Sequence, residues 1–162
     1  MMPALPLRSD LQPGDIGAIV GMHGRWYARE YGFDVTFEAY VSVPLGEFVL
    51  RAAERERIWL AERSGRIVGS VAIVAEAPRV AQLRWFLVDP DARGEGLGTR
   101  LLTEALVFSR AAGYERIVLW TVSALTGAAR LYEAAGFRRI EATPVRRWGT
   151  DVVEEKYEMS LQ

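Results

Sequence analysis

The chain of 162 residues contains no cysteine. That removes disulfide staples, thiolate nucleophiles and cysteine-ligated zinc. Histidine is nearly as scarce, since His23 stands alone. A single imidazole argues against a multi-histidine metal site and against Ser-His chemistry, so no metal is expected. No apolar run approaches the about 20 residues that a membrane-spanning helix needs. The opening MMPALPLRSDLQPG lacks the basic start and long apolar stretch of a signal peptide. An excess of one charge is missing too: 20 Lys and Arg face 21 Asp and Glu. No overall field draws nucleic acid onto the surface. Together these absences predict a cytoplasmic protein with neither nucleic acid nor membrane as partner. Half the residues are apolar and a quarter charged, which suits one packed domain over residues 1–162.

Periodicity then orders the elements. Residues 5–12 read as a short strand closed by Pro13-Gly14, and 16–31 as a helix with Asp15 as cap and Gly32 as its end. A second helix is expected over 36–55 with Thr36 as cap, kinked or broken at Pro44 and Gly46. Strands follow over 57–63, 67–76 and 81–90, the first two joined by a tight turn at Ser64-Gly65-Arg66. LGTRLLTEALVFSRAAG (97–113) carries the clearest apolar stripe, Leu97, Leu101, Leu102, Ala105 and Leu106. A strand over 116–122, a short helix over 127–137 and strands over 137–142 and 152–161 complete the order. The fold class this predicts is an α/β domain with a mixed sheet.

DARGEGLGTRLL (91–102) sits between a strand and that clear helix, with glycine at 94, 96 and 98. Glycine lets backbone N–H groups approach and point at an anion, and the helix start adds its dipole. Arg93 adds a full positive charge. A dinucleotide fingerprint would need glycine at 99, where Thr99 stands, and a P-loop would need lysine after Gly98, where Thr99-Arg100 follow. What remains is Arg-x-x-Gly-x-Gly over Arg93, Gly96 and Gly98.

That pattern resembles the pyrophosphate loop of the GNAT acetyltransferase superfamily. LVDPDARGEGLGTRLL is similar to the strand-loop-helix unit of the family, and LYEAAGF (131–137) to its second signature. HGRWYAREYGFD (23–34) and RRWGTDVVEEKYEMSL (146–161) resemble the subgroup often fused behind a MarR-type winged helix. The resemblance implies a central mixed, mostly antiparallel sheet of six to seven strands flanked by about four helices. It implies acetyl-CoA as co-substrate and a small-molecule amine as acceptor. The pyrophosphate would lie on Arg93, Gly94, Glu95, Gly96, Leu97, Gly98 and Thr99, with pantetheine along Phe86, Leu87 and Val88. Tyr132 would be the general acid for the leaving thiolate and also touch the cofactor. A backbone N–H near Val88 would polarise the thioester carbonyl. An acyl-CoA- or amine-sensing module linked to transcriptional regulation is the alternative. Monomer and homodimer both stay open.

Two positions depart from the family pattern. Leu125 stands where many relatives carry asparagine, with Ser123 or Thr126 as substitutes. Gln82 stands where the usual glutamate base would be, and an amide takes no proton. The base is therefore unassigned, with a water relayed through a carbonyl or Glu76 as one option. For the acceptor, the resemblance points between the first two helices and the last hairpin. Trp26, Tyr27, Tyr31, Phe33, Glu38, Trp85 and Trp148 are the candidates, and Trp26, Tyr31, Trp85 and Trp148 are singled out. His23 reads as a core or helix-surface histidine and Glu154-Glu155 as a solvated strand face.

Overall fold

The computed structural model describes residues 3–162. The elements run β1 (Leu7–Arg8), α1 (Asp15–Tyr31), α2 (Val35–Arg51), β2 (Arg57–Arg63), β3 (Arg66–Ala77), β4 (Val80–Val88), α3 (Leu97–Ala111), β5 (Arg116–Val122), α4 (Thr126–Ala135), β6 (Arg138–Arg147) and β7 (Thr150–Ser160). A single 3-10 turn, Pro90–Ala92, lies between β4 and the glycine loop. One seven-stranded sheet has the order β1-β2-β3-β4-β5-β7-β6. Its neighbours are antiparallel except β4 and β5, which run parallel. The expected mixed, mostly antiparallel sheet with four flanking helices is the one observed.

Alternation along the strands feeds two cores, because successive side chains point to opposite faces. Ile58, Leu60, Ala72 and Val74 meet Ile19, Phe37, Val41, Leu45 and Phe48 of α1 and α2. Trp59, Ala61, Val71 and Ile73 meet Leu97, Leu101, Leu102, Ala105 and Leu106 of α3 on the other face. Each face buries enough apolar side chain to hold its helices without staples.

Several boundaries differ from the sequence reading. Strand β1 covers only Leu7–Arg8 because β2 offers it just Ala61 and Leu60 as partners. Asp15 does not cap α1, which starts from Gly14. Its carboxylate instead accepts from the Arg8 guanidinium at 2.7 and 2.9 Å, tying β1 to the start of α1. Asp34, not Thr36, caps α2 by accepting from the Thr36 N–H at 3.0 Å. That helix runs through Pro44 and stops at Arg51. β6 extends to Arg147 and β7 begins at Thr150, so the expected loop is a tight hairpin around Trp148-Gly149.

Strand β4 carries the one irregularity that matters for the site. Ser70 pairs with Leu87 and Ala72 with Arg84, so β4 holds one residue more than β3 between those pairs. This β-bulge centres on Trp85, whose φ is +48°. The Ser70 hydroxyl donates to the Trp85 carbonyl at 2.6 Å and fixes it. The bulge shifts the alternation: Ala81 and Leu83 belong to the α3 core, yet Trp85 belongs to the α1–α2 core.

Candidate functional site

Strands β4 and β5 pair only over Val80–Gln82 and Arg116–Val118. Beyond that point β4 stays with β3 to Val88 and β5 stays with β7 to Val122. The two strands therefore diverge, and from Leu83 onward the edge of β4 facing β5 has no strand partner. A sheet edge of this kind accepts an extended ligand by backbone hydrogen bonds.

The gap holds two connected spaces. A cleft of about 590 Å3 is lined by Tyr31, Phe86, Leu87, Val88, Arg93, Gly94, Gly96, Leu97, Gly98 and Thr99 on one side. Ala124 to Ala128 and Leu131, at the start of α4, line the other. A smaller cavity of about 100 Å3 adjoins it, against His23, Phe37, Trp85, Thr121, Tyr132 and Trp148 among others. Tyr27, Phe86 and Leu125 border both spaces and mark where they meet.

The glycine loop presents bare backbone donors. Gly94 and Gly96 have φ of +77° and +81°, a region open mainly to glycine. Gly96 caps α3 with no side-chain hydrogen bond. Among the described residues, the backbone N–H groups of Gly94 through Thr99 have no hydrogen-bond partner in the chain. A helix start with unpaired N–H groups and the positive end of the dipole favours bound phosphate.

Arg93 is tied to two other elements. Its guanidinium forms a fork with Glu30 of α1 at 2.9 and 2.8 Å, and its Nε donates to the Val88 carbonyl at 3.0 Å. Its hydrogen bonds to the Glu30 carboxylate raise its pKa above the ordinary arginine value. Arg93 thus straps the loop to β4 and α1, and part of its charge is already matched. Glu95 turns the other way, to Arg63 of β2, and leaves only its backbone near the cleft.

Tyr132 sits on α4 at 5 % exposure, its ring against Phe86, Phe137 and Tyr157. Its hydroxyl makes no hydrogen bond within the described chain. Burial, with Tyr27 and Tyr157 adding to it, pushes its pKa well above the usual phenol value. A phenol held protonated beside a cavity can donate a proton there.

The acceptor candidates divide. Trp85 and Trp148 line the cavity, as do Tyr27 and Phe33, whereas Tyr31 lines only the cleft. Trp26 borders neither space; its Nε1–H donates to Asp89 at 3.2 Å and Arg29 covers its ring at 5.2 Å. Glu38 packs against Gly24 between α1 and α2, away from the cavity. Leu125 is the residue before α4 and offers no capping atom. Gln82 lines the cavity at the last β4–β5 pair. Glu76 is exposed at the end of β3 and borders neither space, which removes it as a relay. The solvated reading of Glu154-Glu155 also fails. Glu155 is 4 % exposed and accepts from Arg139 at 2.7 Å, while Glu154 lines the cavity and pairs with Arg147 at 3.2 Å.

What the sequence did not disclose is the polarity of the cavity. His23 is 2 % exposed, and its Nδ1 lies 2.8 Å from the Ile19 carbonyl. Burial lowers its pKa to about 4, so the ring is neutral at pH 7 and Nδ1 carries the proton toward that carbonyl. Nε2 is then a bare acceptor. It has no partner, and neither do the buried Trp85 Nε1 and Thr121 Oγ1. All three side chains line this one cavity. Among the described residues no other side-chain nitrogen or oxygen that is itself fully shielded from solvent is without a hydrogen bond.

The depressed His23 pKa gives a stability prediction. Between pH 6.5 and about 4 the unfolded ring binds a proton that the folded ring refuses. Stability therefore rises with pH across that window and is lost as pH falls through it, by roughly 3 kcal/mol in full. Urea unfolding of wild type and His23→Asn at pH 7 and pH 4.5 checks it. The wild type is expected to lose more stability on acidification, and equal losses would refute the assignment.

A parallel pair that opens at its carboxyl ends, a helix start bare of partners and a buried phenol together frame a cleft able to take an extended ligand. Comparison with known proteins supplies the class. Residues 23–137 match the model of the acetyltransferase (GNAT) family, and the chain belongs to that family. It is 32 % identical over 118 residues to an uncharacterised N-acetyltransferase of Schizosaccharomyces pombe, covering 71 % of this chain and 72 % of that one. It is also 35 % identical over 102 residues to mycothiol acetyltransferase of Thermobispora bispora, covering 59 % of this chain but only 32 % of the relative. An N-acetyltransferase structure from Staphylococcus aureus Mu50 superposes with a TM-score of 0.81 at 17 % identity, covering 99 % and 100 % of the two chains. A Salmonella typhimurium protein solved with its cofactor acetyl-CoA superposes at 0.78 and 17 % identity, over 99 % and 95 %. No described helix is long and apolar enough to cross a membrane.

Proposed function

We propose that this chain is an acetyl-CoA-dependent N-acetyltransferase that moves the acetyl group to the amine of a small molecule or amino acid by direct attack. The observation that carries the reading is the run of partnerless N–H groups from Gly94 to Thr99, opening onto the same cleft as the unpaired edge of β4. The loop would hold the pyrophosphate, and Phe86, Leu87 and Val88 the pantetheine. Bound there, the thioester supplies an activated acetyl group. Tyr132 would protonate the departing thiolate, and the aromatic cavity would hold the acceptor.

Calorimetry and thermal shift with acetyl-CoA, CoA and desulfo-CoA test the first half. Saturable binding is expected, with about 2.7 kcal/mol of added stability at 100-fold excess over Kd. Absence of binding at millimolar ligand overturns the reading. Release of free thiol against an amine panel tests the second half. Leu125 and Gln82, standing where the family pattern has asparagine and glutamate, favour the sensing module as the other reading. Tight CoA binding without thiol release from any amine would select it.

A further inference from the structure

The proposed acetyl transfer needs a group that receives a proton from the attacking amine, and neither Gln82 nor Leu125 can be that group. We infer that His23 Nε2 receives the acceptor's amine N–H and takes its proton during attack. This assignment rests on the acetyltransferase reading.

A buried acceptor without a hydrogen bond costs about 1–3 kcal/mol, so one that persists needs an explanation. His23 Nδ1 is committed to its own helix, one turn back at Ile19, which leaves Nε2 on the far side of the ring from that carbonyl. Tyr27 stacks on the ring, with centroids 6.0 Å apart and planes 9° from parallel, and holds its orientation. The ring is thus fixed in tautomer and in direction beside a cavity. Trp85 Nε1–H and the Thr121 hydroxyl, equally without partners, add a donor and an amphoteric group around the same space. The rings of Tyr27, Phe33, Phe37, Tyr40 and Trp148 also line it. A ligand with an N–H for His23 and an acceptor atom for Trp85 would pair two of these three buried atoms.

The charged and titratable groups that share the cavity are Tyr27 of α1, Tyr40 of α2, Arg84 of β4, Tyr132 of α4 and Glu154 of β7. Glu154 is the competing base. Its carboxylate is already paired with Arg147 at 3.2 Å, whereas His23 Nε2 has no partner among the described residues.

The amine lone pair forms the C–N bond to the thioester carbonyl carbon, and the carbonyl pair moves to oxygen. The proton on nitrogen passes to His23 Nε2. The oxygen pair re-forms C=O as the C–S bond breaks, and the sulfur takes the Tyr132 hydroxyl proton. The imidazolium then returns its proton to the tyrosinate through solvent, leaving amide and free thiol.

The test is His23→Asn. Asparagine keeps a donor for the Ile19 carbonyl and deletes Nε2, so the fold and acetyl-CoA affinity are expected to hold. Thiol release, measured with the best amine from a panel of the amino acids and simple alkylamines, is expected to fall at least about 100-fold. Because the chain has one histidine, its imidazole nitrogen spectrum is assigned without further work. In the dead-end complex with desulfo-CoA, adding that amine is expected to shift the Nε2 signal as it accepts a hydrogen bond. If the wild type turns over but His23→Asn stays within threefold of it, or the Nε2 signal does not move, His23 is not the acceptor. If Glu154→Gln abolishes turnover while His23→Asn does not, Glu154 is the base. A wild type that releases no thiol at all instead sinks the acetyltransferase reading beneath this one.

Discussion

Gly96→Val is expected to weaken acetyl-CoA binding at least 100-fold. Gly96 has φ of +81°, and a β-branched residue held there costs about 1–3 kcal/mol of backbone strain. That strain alone lowers Tm by roughly 2–4 °C per kcal/mol. The larger effect falls on the ligand. A Cβ built at Gly96 meets no protein atom within 4 Å, so the added side chain fits the fold and projects into open space beside the bare N–H groups. An anion that needs close backbone approach is displaced. Gly65, in the β2–β3 turn, provides the matched control. Its φ is +75° and a Cβ there also meets nothing within 4 Å. Gly65→Val is expected to lose similar stability and no affinity. Calorimetry on both variants decides: equal affinities would mean that the loop holds no pyrophosphate.

The second large effect is Tyr132→Phe. Turnover is expected to drop by roughly 10²–10⁴-fold, the usual worth of a positioned proton donor. The substitution removes one oxygen and keeps the ring that packs on Phe86, Phe137 and Tyr157. Since the hydroxyl makes no hydrogen bond within the described chain, folding stability and CoA affinity should hardly change. A thiol-release assay beside a CoA titration reads both quantities. Turnover within a few-fold of wild type would reduce Tyr132 to a core aromatic. Because its pKa is raised, the donor should stay protonated through the neutral and mildly alkaline range, with no loss of rate from its ionisation there.

Much of this fold is written in local patterns. The apolar stripe of α3, the alternation of β2 and β3 and the breaks at Pro78 and Pro90 placed most elements within a few residues. Boundaries failed where a competing local bond won. Asp34 displaced Thr36 as cap because its carboxylate reaches the Thr36 N–H, and β6 outran its expected end because β7 pairs with it as far as Arg147. The glycine loop was legible because Arg93, Gly96 and Gly98 act through neighbouring backbone. The cavity was not, because its polar atoms come from α1, β4 and β5 and only the fold collects them. Arg93 looked free until Glu30, 63 residues away in sequence, closed on it. The bulge at Trp85 left one faint sign, two large aromatics in succession where alternation calls for one.

The join between β4 and β5 has a mechanical meaning. The sheet is in effect a pair of shears: β1 to β4 form one blade, β5, β7 and β6 the other, and the rivet is Val80–Gln82 against Arg116–Val118. Gln82 is the last residue of that rivet and also touches the cavity. It stands where the blades part, so a change of side-chain bulk there would reach a ligand in the gap by leverage as well as by contact.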